Sequence, residues 1–412
     1  MLIRRFGAVL ALTSLTLVTG AGNGLAESPL MPGFCTSGGF VEGVGASFAQ
    51  NLHDKVGIPE FNKACGKGTF KYLGGGSGAG KAAYADHSYL YAGSDEPLSF
   101  DEQMAGALDA DSGAGRVSPS HHIPIGLGAI TVSVNLEDCG IGAGTNGLVE
   151  LNLRSQVIGS IFSGIITDWN DGLIGQDQSD GIRSKLSNCG LPITVAVRED
   201  VSGTTYAFKD FLSKRNPQFQ VYKQNQFNTA WPIEDLGGTL VRKKKNDGVA
   251  NLVDTIPGAI GYVELAEASR VRAAGGSSSP HGILDWARVD NPAGEFLSPN
   301  SGLSARCEAA TVGMTHPAST LSPGWDAVSI TDGLAPGAYP ICTMTYALVY
   351  NNLLSAFGGG TATPGKAQTL VDYLDVLLRD STQTKLGQNG YAALPVSVLQ
   401  VARAGLLSLV YA

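Results

Sequence analysis

Several features are missing from this 412-residue chain, and each absence removes a class of function. It contains no Cys-X-X-Cys pair, so a thiolate zinc site has little support. It has no internal repeat and no low-complexity domain, which sets aside solenoids and disordered scaffolds. Its most apolar stretch, Phe6 to Val18, is too short for a convincing membrane span. Basic residues are outnumbered, 28 Lys and Arg against 36 Asp and Glu, for a formal net charge of −8. Nucleic acid is therefore a poor partner, because non-specific binding needs a basic surface to neutralise phosphates. A local anion site is still compatible with that balance. Histidine is scarce: His53, His87, His121, His122, His281 and His316. Only His121 and His122 are neighbours, neighbours on a strand face opposite ways, and nothing nearby completes a metal set, so both are read as loop or surface residues. No metal site and no cofactor is expected.

With charged residues at 16% and apolar ones at 43%, the chain is ordinary globular material, and its length fits two domains. Residues Met1 to Ala26 have the three parts of an export leader: Arg4 and Arg5, the apolar run, then Gly24-Leu25-Ala26 as a small-residue cleavage site. No cysteine directly follows that run, so no lipid anchor is expected. The destination is periplasmic or secreted. Cys35, Cys65, Cys139, Cys189, Cys307 and Cys342 form an even set, which in an exported chain implies disulfides. Fifteen connectivities are open to six cysteines, and sequential pairing is the expectation.

Short β-like runs alternate with amphipathic helical ones, the pattern of an α/β protein. Strands are expected at Ile130–Leu136, Ile193–Val197, Ala259–Val263 and Tyr346–Tyr350. Helices are expected at Val157–Ile161, Thr204–Lys214, Val249–Val253 and Leu370–Leu378, the last with its apolar face on Leu370, Leu374 and Leu377. Stretches rich in Gly, Ser and Pro at Ala273–Pro280 and Pro317–Pro336 read as loops, the second returning the chain to its first lobe.

Two stretches carry chemistry. Arg198-Glu-Asp-Val-Ser-Gly-Thr-Thr205 follows a strand and opens a helix. The first turn of a helix offers unpaired N–H groups and the positive end of its dipole. Ser202, Gly203 and Thr204 thus converge donors on one point, Arg198 adds a guanidinium fork, and Asp200 can brace that fork. The plainer alternative is an N-cap, with Ser202 bonding its own helix. The second stretch, Gly74-Gly-Gly-Ser-Gly-Ala-Gly-Lys81, matches a phosphate-loop pattern except that Ala82 replaces the hydroxyl that would hold magnesium. A small-anion turn headed by Ser77 fits better than a nucleotide loop, and a tight turn without ligand is the bland alternative. The run Arg242-Lys-Lys-Lys245 reads as a solvated basic turn.

Together with GVGASF at Gly43, AGSDEPLS at Ala92, IFSGIITDWND at Ile161, NDGVANLV at Asn246, TIPGAIGYVE at Thr255, AYPICTMTYALV at Ala338 and GYAALP at Gly390, these pieces stand in an order that resembles one family. It is the phosphate-binding component of the bacterial phosphate ABC importer, with its secreted DING relatives. The glycine turn, the AGSD segment and the extra cysteines lean towards the DING branch, whose N-terminal Asp-Ile-Asn-Gly is absent here. The resemblance implies a type II periplasmic binding protein: two mixed-sheet lobes joined by a two-strand hinge, with a ligand cleft between them. After a leader at 1–26, lobe 1 would comprise 27–123 and 338–412, and lobe 2 residues 124–337. The implied phosphate ligands are Ser47, Phe48 through its N–H, Ser77 and Asp95 from one lobe. Arg198, Ser202, Gly203 and Thr204 come from the other, with Asp200 behind Arg198. A membrane permease is the implied partner, the chain is expected to be a monomer, and no catalytic residue is expected. The competing function is a secreted phosphatase or other phosphoryl-transfer hydrolase of the DING type.

Overall fold

A computed structural model describes residues 35, 38–66, 69–107, 118–142, 151–224, 229–273, 282–300, 302–357 and 361–411. The expected leader, most of the Ala273–Pro280 loop and His281 lie outside the described residues. The main strands are β1 (Phe40–Gly45), β2 (Thr69–Gly74), β3 (Tyr91–Ser94), β4 (Ser120–Val134), β5 (Thr194–Arg198), β6 (Thr239–Lys243), β7 (Ala259–Glu264) and β8 (Cys342–Tyr350). The helices that bear on the site are α1 (Ser77–Ala85), α2 (Gly203–Arg215), α3 (Lys245–Thr255), α4 (Leu265–Ala273), α5 (Leu303–Ala310) and α6 (Pro364–Leu377).

One sheet runs through the molecule in the order β2-β1-β3-β8-β4-β7-β5-β6. Its two wings are parallel: β1 pairs with β2 and β3, and β5 pairs with β6 and β7. The middle is antiparallel. The first part of β4, up to Ala129, pairs with β8, and the part from Ile130 to Val134 pairs with β7. Apolar side chains line both faces, which is what strands covered on two sides require. All 15 residues of β4 are buried.

The expected helices and strands form, with two instructive differences. β4 starts ten residues before Ile130 and runs through Pro124, Gly126 and Gly128, residues that disfavour a strand interior. The register against β8 shifts between Thr345 and Tyr346, opposite Pro124 to Gly126, and such an irregularity is where a sheet tolerates proline. His121 and His122 are consequently not loop or surface residues. Both are buried, His121 bonded to Thr320 Oγ1 (2.7 Å) and Asn351 Oδ1 (2.8 Å), and His122 accepting the Leu98 N–H through Nε2 (2.9 Å). Helix α6 is buried on every side from Ala367 to Leu377 rather than on a single stripe, because β1, β2 and the C-terminal helices enclose it.

The cysteines pair sequentially: Cys35–Cys65, Cys139–Cys189 and Cys307–Cys342. The third ties α5 to β8 across 35 residues of chain. Replacing Cys307 and Cys342 by serine should lower the unfolding free energy by about 3 to 4 kcal/mol, from the freed loop entropy of the unfolded chain. Denaturant titration of the double variant against the parent checks this, with unchanged stability as the contrary result.

Candidate functional site

The two parallel wings aim the carboxyl ends of their strands at one place, where open α/β sheets put their ligands. From the first wing, β1 runs into Ser47 and Phe48, β2 into the glycine turn headed by Ser77, and β3 into Asp95. From the second, β5 ends at Arg198, β6 leads to Asn246 and β7 ends at Glu264. Backbone bonds stitch the first three ends together: the Gly75 and Gly76 amides donate to Gly45 O (2.8 Å each), and Ala46 N–H donates to Gly93 O (2.9 Å).

Helix α2 opens as its sequence predicts, with Ser202 as N-cap accepting from the Thr205 N–H (3.2 Å). The plain N-cap reading of Ser202 is therefore correct for its oxygen, and its hydroxyl hydrogen stays available. The amides of Gly203 and Thr204 precede the capped position and have no partner within the helix. Arg198 is buried. It donates through Nε to Asp200 Oδ1 (2.8 Å) and through Nη2 to Asp200 Oδ2, which leaves Nη1 buried without a hydrogen-bond partner. The Lys245 N–H also donates to Asp200 Oδ1 (3.0 Å). Burial pushes the Asp200 carboxyl up, but Arg198 and the Lys245 amide more than offset this and hold it below its ordinary value.

The wings meet at Gly203. A Cβ on that residue would lie 2.6 Å from Ser77 Oγ and 2.7 Å from Asp95 Cβ, so only glycine allows the approach. Close by, the Gly78 N–H donates to Val201 O (3.1 Å). Ser77 Oγ accepts the Asp95 N–H (3.2 Å) and donates its hydrogen to Asp95 Oδ2 (3.4 Å). Asp95 is 3% exposed, and its Oδ1 has no partner. Burial raises its carboxyl from the ordinary range to about 7, against the pull of the nearby Thr345 hydroxyl, the Arg198 charge and Ser77. A buried acid with one free oxygen thus stands in the field of a guanidinium with one free nitrogen, ringed by hydroxyls.

The structure brings Ser47, Ser77, Asp95, Arg198, Asp200, Ser202, Gly203 and Thr204 around this meeting point, with Phe48 buried beside Ser47 and its carbonyl accepting the Tyr391 hydroxyl (2.6 Å). Sequence reasoning missed Asn246, which bonds to both Ser47 and Thr204, and Tyr262, whose hydroxyl accepts the Arg198 N–H (3.1 Å) and bonds Thr205 Oγ1 (2.6 Å). Asn246 opens a quoted motif, so a local signal existed. Tyr262 also lies in a quoted motif, TIPGAIGYVE, but its place beside Arg198 follows only from the pairing of β5 with β7. The phosphate-loop resemblance is only superficial: Lys81 is buried against Glu96 (3.0 Å) and Glu102 (3.1 Å) and serves to anchor the segment that carries Asp95. The basic run is solvated as expected, with Lys243 to Lys245 exposed, but only Lys244 forms the bend and the rest belongs to the flanking strand and helix. Arg242 and Lys243 end β6, Arg242 pairs with Glu234 (2.8 Å), and Lys245 starts α3.

The family model described as the PBP superfamily domain matches residues 21–375. The chain belongs to that superfamily. Among curated proteins it is 29% identical over 344 residues to the phosphate-binding protein PstS3 of Mycobacterium bovis, covering 81% of this chain and 77% of that one. It is 26% identical over 358 residues to the phosphate-binding protein PstS of Methanocaldococcus jannaschii, covering 87% and 83%. Among solved structures, a human phosphate-binding apolipoprotein superposes with a TM-score of 0.63 at 22% identity, covering 88% of this chain and 93% of that one. The periplasmic phosphate-binding protein PfluDING gives 0.60 at 21%, covering 89% and 93%. The fold is that of a type II periplasmic binding protein.

Asp95 also links the site to stability. A carboxyl raised to about 7 in the folded chain binds a proton more tightly than in the unfolded one. Its contribution is complete below the unfolded value near 4 and is lost as pH rises through 7. In the ligand-free protein, Asp95→Asn should flatten the decline in unfolding free energy between about pH 4 and 7. Denaturant titrations across that window test it; parallel pH profiles for parent and variant would contradict it.

Proposed function

We propose that the protein binds inorganic phosphate between two lobes outside the cytoplasm and hands it to an ABC-type permease. The observation that carries this reading is the buried pair of unpartnered atoms, Asp95 Oδ1 and Arg198 Nη1, set among hydroxyls at the start of helix α2. The site residues are Ser47, Phe48, Ser77, Asp95, Arg198, Ser202, Gly203 and Thr204, with Asp200 fixing Arg198. Guanidinium, helix amides and hydroxyls all donate, so the ligand must be rich in acceptor oxygens. Asp95 is the exception. When ionised it can only accept, and phosphate near neutral pH carries a proton to give, whereas sulfate carries none. The names of the relatives in bacteria and archaea agree with this ligand.

The lobes of this reading are 27–123 with 338–412, and 124–337. The switch of β4 from β8 to β7 supports a boundary within that strand, and β4 and β8 would be the hinge. The leader at 1–26, export to the periplasm or medium, a monomeric state and placement in the DING branch complete the proposal. A hydrolase would instead need a base or metal at the anion. Among the described residues the buried histidines are engaged elsewhere, His53 with Tyr373 (2.5 Å) and Tyr91 (3.1 Å), and His121 and His122 within the sheet. Asp95 is itself a base beside the anion, so the histidines alone do not decide, and the relatives named as phosphate-binding proteins favour transport over catalysis.

Equilibrium dialysis of the mature chain against labelled phosphate, with sulfate as competitor, is the direct test. Phosphate should be retained in the presence of excess sulfate. No retention would end the proposal. Because Asp95 titrates near 7, a protonated Asp95 can donate to sulfate in acid, so sulfate should compete progressively better as pH falls below 7. In Asp95→Asn the amide donates at every pH, and that dependence should vanish along with most of the selectivity, which for a site reading one hydrogen reaches about 10⁴. Closure of the lobes around the anion should also make the particle more compact. X-ray scattering profiles that overlay with and without phosphate would contradict this.

A further inference from the structure

The geometry points to Asn246 as a positioning residue that fixes the Ser47 and Thr204 hydroxyls as hydrogen donors and so determines which oxygen of the anion can carry the proton. This inference rests on the phosphate reading. Asn246 lies in the first turn of α3 and is buried. Its Oδ1 accepts the Glu264 N–H (3.1 Å). A main-chain amide can only donate, so the amide orientation of Asn246 is settled and Nδ2 faces the site. The two hydrogens on Nδ2 go to Ser47 Oγ (3.2 Å) and Thr204 Oγ1 (3.3 Å), while its own backbone N–H also goes to Ser47 Oγ (3.3 Å).

A hydroxyl has one hydrogen and two lone pairs. Both lone pairs of Ser47 are taken, so towards any ligand it can only donate. Thr204 has one lone pair taken and is biased the same way. Ser202 accepts from the Thr205 amide, which turns its hydrogen outward as well, while Ser77 accepts the Asp95 amide and gives its hydrogen to Asp95 Oδ2 (3.4 Å). In such a ring Ser47 is closed to a protonated ligand oxygen, Thr204 and Ser202 each keep one lone pair at most, and Asp95 Oδ1 is the buried acceptor left wholly without a partner. The lone carboxylate supplies the test for hydrogen, and Asn246 closes Ser47 to it and disfavours it at Thr204. Asn246 also bonds to a hydroxyl from each wing, Ser47 after β1 and Thr204 on α2, so it couples the two halves of the site.

The test is a coupling cycle read by calorimetric titration with inorganic phosphate. Asn246→Leu should weaken binding about tenfold, the loss from freeing two oriented hydroxyls. Made on top of Ser47→Ala with Thr204→Val, the same change should cost less than about twofold, because its targets are gone. Asn246→Asp keeps the shape and the bond from the Glu264 amide, which guards against a folding defect. It should weaken binding by about a hundredfold or more, since its carboxylate draws both hydroxyl hydrogens away from the anion and repels it. The inference is overturned if Asn246→Leu stays within twofold of the parent, if its tenfold loss persists in the Ser47→Ala, Thr204→Val background, or if Asn246→Asp binds as tightly as the parent. A parent that binds no phosphate at all would instead remove the functional reading beneath it.

Discussion

The site turns on a buried acid and a buried guanidinium held close without neutralising each other. Arg198 spends two of its nitrogens on Asp200, so its remaining nitrogen keeps a donor and its charge is braced rather than quenched by Asp95. Burial would make either group costly alone. Their proximity, the hydroxyls around them and the free amides of α2 make the cost bearable, and they leave one acceptor and several donors in a fixed pattern. That pattern suits a tetrahedral oxyanion carrying one hydrogen better than one carrying none.

The sheet places this pattern. Two parallel wings, each presenting strand ends to the same point, are joined through the antiparallel pair β4 and β8. Because β4 serves one wing with its first part and the other with its last, the wings are connected by continuous backbone rather than by side chains. Closeness at Gly203 then depends on a missing side chain, and the bond from Gly78 N–H to Val201 O shows main chain meeting main chain across the same gap. Lys81, Glu96 and Glu102 form an ionic cluster behind Asp95 that steadies the turn after β3. Burial raises Glu96 to about 7 despite the opposing Lys81, so this support is itself sensitive to protonation.

Much of this was legible in the chain. The strand-then-helix signature at Arg198 to Thr205 is local, since an N-cap, a glycine and a following apolar stripe are adjacent residues whose chemistry does not wait for tertiary contacts. The same holds for Ser77 at its glycine turn. β4 was legible only in its second half, because proline and glycine forecast a break that the partner strand absorbs as a register shift. His121 and His122 were misplaced for the same reason: polarity suggests surface, but burial depends on partners such as Thr320 and Asn351, far away in sequence. The lysine of the glycine turn and the run after Arg242 were ambiguous until their carboxylate and backbone partners were visible.

Sequence by itself determined the alternation of strands and helices, the residues at each turn and the set of groups able to grip an anion, because those follow from propensity, capping and side-chain chemistry along a few neighbouring positions. Only the tertiary structure decided that Asp95 lies within the field of Arg198 with one free atom on each, that burial raises Asp95 to about 7, and that Asn246 bonds hydroxyls from both wings. Those properties depend on burial and on contacts between segments from 18 to 199 residues apart, where the pairing of strands, and not the order of residues, sets the distances.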